Sequence, residues 1–261
     1  MKRILVPISF SITSKKALSN AYSIAKEFGA TLFLLHCYSK KEYNRIYDFG
    51  AEDYDKGIRG MLLNFYNEYK DSRSNIKFNL ITSQRTVLEF ISKSSIKYDL
   101  MVLCREIGSI SASNKYLSDK LYNISTNSLC PVLITSTNHK HFSFQKDKAI
   151  WHIKRSENEI GLVTESLSIL GIDYNIVVSK SLTQEKFTSS FWKKLITFTK
   201  KHESSLLEEI SQSFGKEDIG IFVIVNHLKG KFGLFMRDDC FQIISQFDIP
   251  VLILPSKPSD T

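Results

Sequence analysis

The chain has 261 residues, 43% hydrophobic and 24% charged, with a formal charge of +8, a length that holds one large domain or two small ones. Its densest apolar run, Ile221–Val225, falls far short of the roughly 20 residues that span a bilayer, which argues against a membrane helix and a membrane partner. The lysines come as scattered doublets (Lys15-Lys16, Lys40-Lys41, Lys193-Lys194, Lys200-Lys201) without a basic face or aromatic platform, so nucleic acid is a disfavoured partner.

The opening MKRILVPISFS has only a short apolar stretch, broken by Pro7, and is not read as a signal peptide. Arg3–Val6 is the first expected strand. Ala17, Leu18, Ala21, Ile24, Ala25 and Phe28 then mark one helical face, with Ser14 as the expected N-cap and Gly29 as the stop. Thr31–Tyr38 reads as a strand apolar enough to be buried on both faces. A helix is expected over roughly 52–71, a strand over Ile76–Ile81 and a helix over Thr86–Ser94. The strand Asp99–Leu103, the helix Lys115–Asn127 and the strand Val132–Thr135 complete the first half. Strands alternating with helices through short connections imply a parallel sheet covered on both faces.

The second half repeats this plan. Thr86–Asp99 aligns without gaps on Ser205–Asp218: Leu88, Glu89, Ile91, Ser92, Ser94, Lys97 and Asp99 recur as Leu207, Glu208, Ile210, Ser211, Ser213, Lys216 and Asp218. Pro131–Ile134 recurs as Pro250–Ile253 at the same offset of 119 (207 minus 88, 250 minus 131). Two matches at one offset indicate a tandem duplication. The expected elements are a strand over Lys148–Lys154, a helix over Glu157–Leu170, and strands over Tyr174–Ser179 and Leu195–Thr199. About 15 residues separate the last two where the first half has about 40, so the second helix of this half is trimmed or missing. Ser136–Asp147 is polar and reads as the connector, which divides the chain into 1–137, a linker over 138–146, and 147–261. Its His139-x-His141 lacks a third ligand at useful spacing, so no metal site is read there.

MKRILVPISFS, Ala25-KEFG-Ala30, Leu34-Leu35-His36 and the pair Asp99-LMVL with Cys130-PVLI together resemble a universal stress protein domain. The resemblance covers most of 1–137 and, more weakly, 147–256, and the type it matches is the tandem one. It implies two Rossmann-like α/β domains, each with a mainly parallel five-stranded sheet flanked by helices, paired as a pseudo-dimer through their last strands. Here those strands would be Val132–Thr135 and Val251–Leu254.

Nucleotide-binding members of that family carry G-x2-G-x9-G-[S/T] after the fourth strand and an aspartate after the first. The glycines let backbone amides approach phosphate at a helix N-terminus. This chain reads Arg105-x2-Gly108-x9-Ser118-Asp119, and only the middle glycine survives. Asp119 would repel phosphate where a hydroxyl should hold it, and Ser9 replaces the aspartate. The second half offers Gly230 and Gly233 beside Lys229 and Lys231, without the spacing, and His152, Lys154 and Arg155 at the end of its first strand. Ser9, His36, Arg105, Gly108, Ser118 and Asp119 are thus the positions of a degenerate nucleotide site, and ATP is a disfavoured cofactor.

No catalytic residue is assigned. His36 ends a buried strand without a nucleophile or carboxylate at recognisable spacing. Asp48, Glu52, Asp53 and Asp55 fail the order of a calcium loop and fit a helix N-terminus. Walker A, G-x-S-x-G and HExxH are absent from the sequence. Trp151 and Trp192 read as core or interface residues. The four cysteines share no close spacing, so buried thiols in a reducing cytoplasm are expected. The sequence therefore points to a cytoplasmic, non-catalytic, universal-stress-like protein working through an unidentified protein partner, with whole chains dimerising further. A sensor of adenine nucleotide or another small anion in the first-half cleft is the alternative.

Overall fold

In the computed structural model of the protein, the described residues are 1–38, 54–68, 75–105, 114–137, 142–144, 149–152, 159–172, 176–178, 219–226 and 250–255. The first half runs β1 (Arg3–Pro7), α1 (Ile12–Phe28), β2 (Thr31–Cys37), α2 (Tyr54–Asn67), β3 (Phe78–Ser83), α3 (Val87–Ser94), β4 (Leu100–Arg105), α4 (Asn114–Asn127) and β5 (Val132–Ser136). The second runs β6 (Ala149–His152), α5 (Glu159–Leu170), β7 (Ile176–Val178), β8 (Ile219–Asn226) and β9 (Val251–Pro255).

The nine strands among the described residues form one sheet in the order β3-β2-β1-β4-β5-β9-β8-β6-β7. Every neighbouring pair is parallel except β5 and β9, which meet antiparallel with Val132 opposite Ile253, Leu133 opposite Leu252 and Ile134 opposite Val251. The two halves are therefore joined through their last strands, as the resemblance implies. Both halves also share one strand order, read outward from this junction. β4 to β8 and β5 to β9 are steps of 119 residues (219 minus 100, 251 minus 132), so the sequence repeat is a structural repeat. The expected strand Leu195–Thr199 lies outside the described residues.

The doubly wound arrangement follows from right-handed crossovers. The chain steps outward from β1 to β2 to β3, returns to β4, and continues to β5 on the other side. Helices made on the outward and the return steps therefore cover opposite faces. One face packs Ile4, Val6, Val102 and Leu133 against Leu18, Ile24 and Leu62, and the same cluster continues through Val163, Leu167, Ile221 and Val223 of the second half. The other face packs Leu5, Met101, Leu103 and Ile134 against Ile91 and Ile124.

The connector is not merely polar. Phe142 and Phe144 are buried, and Phe144 meets Phe28 edge-on with ring centroids 6.0 Å apart. Asn20, fully buried in α1, donates to the Thr135 hydroxyl at 2.9 Å and accepts from the Phe142 amide at 3.0 Å. Glu27 accepts from the Ser143 hydroxyl at 2.8 Å and the Phe144 amide at 3.3 Å. His139 and His141 lie outside the described residues. No helix among them is long and apolar enough to cross a membrane.

Candidate functional site

The strand order reverses between β1 and β4, so the α1 and α4 connections leave on opposite faces and open a crevice at the strands' carboxyl ends. A cleft of about 340 Å³ sits there. Pro7, Ile8, Ala17, Leu103, Leu121 and Ile124 supply its apolar walls, and Ser9, Ser11, Thr13, Ser14 and Lys120 its polar lining.

The hydroxyls are ordered by the start of α1. Ser11 is the N-cap: its backbone is extended (φ −87, ψ 168) and its Oγ accepts from the Ser14 amide at 3.3 Å. The expected cap, Ser14, is instead a buried residue inside the first turn, whose hydroxyl donates to the Ser11 carbonyl at 2.9 Å. In SFSITS several hydroxyls compete for the cap. The one that wins stands where the loop leaves the extended conformation. Ser9 Oγ lies 2.9 Å from Ser11 Oγ, which lies 2.8 Å from Thr13 Oγ1, a chain of hydroxyls along the cleft. Gly29 closes the helix with φ 62, as expected of a left-handed C-cap.

Beside this cleft, above β1 and β2, aromatic side chains fill the space around His36. The His36 Nδ1–H donates to the Ile8 carbonyl at 2.8 Å, and the residue is 7% exposed. Phe10 takes a left-handed backbone (φ 57) and lays its ring 4.7 Å from the imidazole and 5.5 Å, edge-on, from Phe65. Such a φ is uncommon for a bulky residue. The Tyr38 ring lies near-parallel to His36 with centroids 6.3 Å apart and meets Tyr54 at 4.8 Å. Burial holds the His36 pKa below its ordinary value, against the smaller raising effect of the Ile8 bond. Asp55, in the first turn of α2, accepts from Thr82, from Arg59 Nε at 2.9 Å and from Tyr38 at 3.3 Å, and these bonds hold its carboxyl below the ordinary range. It is a helix-terminal carboxylate, as expected; Asp48, Glu52 and Asp53 lie outside the described residues.

Of the six positions singled out from the sequence, Ser9 lines the open cleft, while His36 is turned into the aromatic cluster beside it. Arg105 does not stand in an exposed loop. It extends β4 opposite Ser136, is 5% exposed, and its carbonyl accepts from the Thr137 amide at 3.0 Å. Ser118 and Asp119 fall in the backbone of α4. Gly108 lies outside the described residues, as do Lys154, Arg155, Lys229, Gly230, Lys231, Gly233 and Trp192. Phe10, Thr13, Phe65 and Lys120 were not singled out. The alternation of hydroxyls in SFSITS was the available signal for Thr13, and nothing local marks Phe10 as left-handed.

Burial pushes the thiols of Cys37 and Cys130 up to about 11, so they are protonated at neutral pH. Cys104 is buried at the end of β4, and Cys240 lies outside the described residues. Among the described residues no three His, Cys, Asp or Glu side chains are grouped to hold a metal ion.

Residues 1–59 match the family model of the universal stress protein family. The similarity at the level of sequence is to that family and lies in these N-terminal residues. The likeness of fold continues past it. A functionally unknown protein from Pseudomonas aeruginosa PAO1 superposes with a TM-score of 0.55 at 14% identity, over 98% of this chain and 92% of its own. A candidate universal stress protein from Pseudomonas aeruginosa UCBPP-PA14 does so with a TM-score of 0.57 at 14% identity, over 98% and 93%. At that identity the likeness is one of fold, and it spans both halves of the chain. No curated protein matches the sequence.

Proposed function

We propose that this universal-stress-like protein is a non-catalytic, cytoplasmic component of stress adaptation that acts through contacts with a protein partner, and that it does not bind ATP in the manner of the family's nucleotide-binding members. The stress role comes from the family; the loss of ATP rests on the site. One observation carries it: the nucleoside-facing positions are occupied from within. His36 spends its Nδ1–H on Ile8 and is covered by Phe10, and Ser9 offers a hydroxyl engaged with Ser11 where a carboxylate is required. A nucleoside entering here would have to displace a ring packed on both His36 and Phe65. Asp119 in place of the phosphate-binding hydroxyl disfavours the triphosphate as well.

Calorimetric titration of the whole chain with ATP, with and without magnesium, tests this. The expected outcome is no saturable heat up to millimolar nucleotide; saturation at micromolar ATP would overturn it. The second reading, a small-anion sensor in the first half, is favoured by the cleft between β1 and β4, which stays open while its neighbour is filled.

A further inference from the structure

The open cleft has a chemistry of its own. Its volume of about 340 Å³ is at the small end of ligand clefts. The described walls are aliphatic, with Ile8 and Leu103 from the strands, Ala17 from α1, and Leu121 and Ile124 from α4. Its polar lining is hydroxyl, thiol and ammonium: Ser9, Ser11, Thr13, Ser14, Cys104 and Lys120, with no carboxylate among the described lining residues. Such walls gain by taking an apolar body out of water, and hydroxyl donors with one ammonium favour a negative head over a neutral or positive one.

We propose that the cleft binds a small amphipathic carboxylate, its head at Ser9, Thr13 and Lys120 and its tail against Ala17, Leu121 and Ile124. The inference rests on the reading that the ATP site is closed, and names the ligand class of what remains open. The carboxylate accepts hydrogen bonds from the hydroxyls and is paired by the Lys120 ammonium. The tail is covered by α1 on one side and α4 on the other.

The test is calorimetry on the whole chain with three probes of one length, octanoate, octan-1-ol and octylamine, and with ATP. Octanoate is expected to saturate, with octan-1-ol about tenfold weaker or more for want of a charge-assisted bond, and octylamine weaker still. Lys120→Glu and Ser9→Asp both alter exposed side chains and each is expected to weaken octanoate about tenfold, while Leu121→Trp fills the tail region and abolishes binding. Thermal melts of the three variants matching the wild type show that the losses are local; for a variant that melts early, Lys120→Gln serves in its place. Silence toward octanoate and ATP alike would overturn this inference and leave the loss of ATP standing. Octylamine binding as tightly as octanoate would overturn the assignment of the head group. Saturable ATP that octanoate displaces would overturn both readings.

Discussion

The two sides of the first half's carboxyl edge are built from the same loop and end differently. Over β1 and β2 the loop folds Phe10 back onto His36 and Phe65, and the space there is filled. Over β1 and β4 the same loop begins α1 with a row of hydroxyls, and a cleft remains. The difference is a matter of one residue's backbone: the left-handed turn at Phe10 sends its ring to one side and Ser11 into the cap on the other. A fold that creates a crevice at a switch point does not dictate that the crevice bind what its relatives bind. The side chains that line each side decide that separately.

The largest expected effect is on the filled side. Phe65 is 5% exposed and braces Phe10, so Phe65→Ala is expected to cost about 3 kcal/mol or more of unfolding free energy, read from urea denaturation. A loss of a few tenths would mean the cluster is loosely packed and the comparison between the two sides too sharp. On the open side, Ser11→Ala removes the cap of α1 and is expected to cost about 1 kcal/mol. Ser14→Ala should cost less, since the Ser14 hydroxyl returns to the Ser11 carbonyl and meets the Ser11 hydroxyl but satisfies none of the helix's first amides. The reverse ranking would put the cap back at Ser14.

Acid gives the gentlest probe. His36 is held neutral, its folded pKa below the ordinary 6.5. Below that value the unfolded chain binds a proton that the folded chain refuses. Stability is therefore fully present above about pH 6.5 and is lost as pH falls from there toward the lowered folded value. His36→Gln is expected to flatten this part of the stability–pH curve. An unchanged slope would mean the imidazole is accessible enough to titrate normally.

Much of the frame was legible in the sequence because it rests on periodicity and repetition. The 119-residue offset predicted the repeat that β4 and β5 share with β8 and β9, and the pairing of Val132–Thr135 with Val251–Leu254 followed from the family resemblance. Boundaries slipped where polar residues continue a strand: β3 runs to Ser83 and β4 to Arg105, because pairing with β2 and β5 extends the ladder past the apolar run. The connector read as a polar stretch, but its Phe144 finds Phe28 and its amides find Asn20 and Glu27, contacts more than a hundred residues apart that no local pattern announces. The site was half legible. Ser9 and His36 could be placed from a motif, whereas their separation into an open and a filled side depends on Phe10, whose conformation is set by tertiary packing.

The central claim is that the chain's own rings hold the place a nucleoside would need. It is tested most directly by NMR of protein with labelled histidine, following the His36 ring signals as ATP is raised to millimolar concentration. The account predicts signals that stay in place, with the Nδ1 proton retained throughout. A saturating shift of His36 with ATP would show that the nucleotide reaches the imidazole and would contradict it.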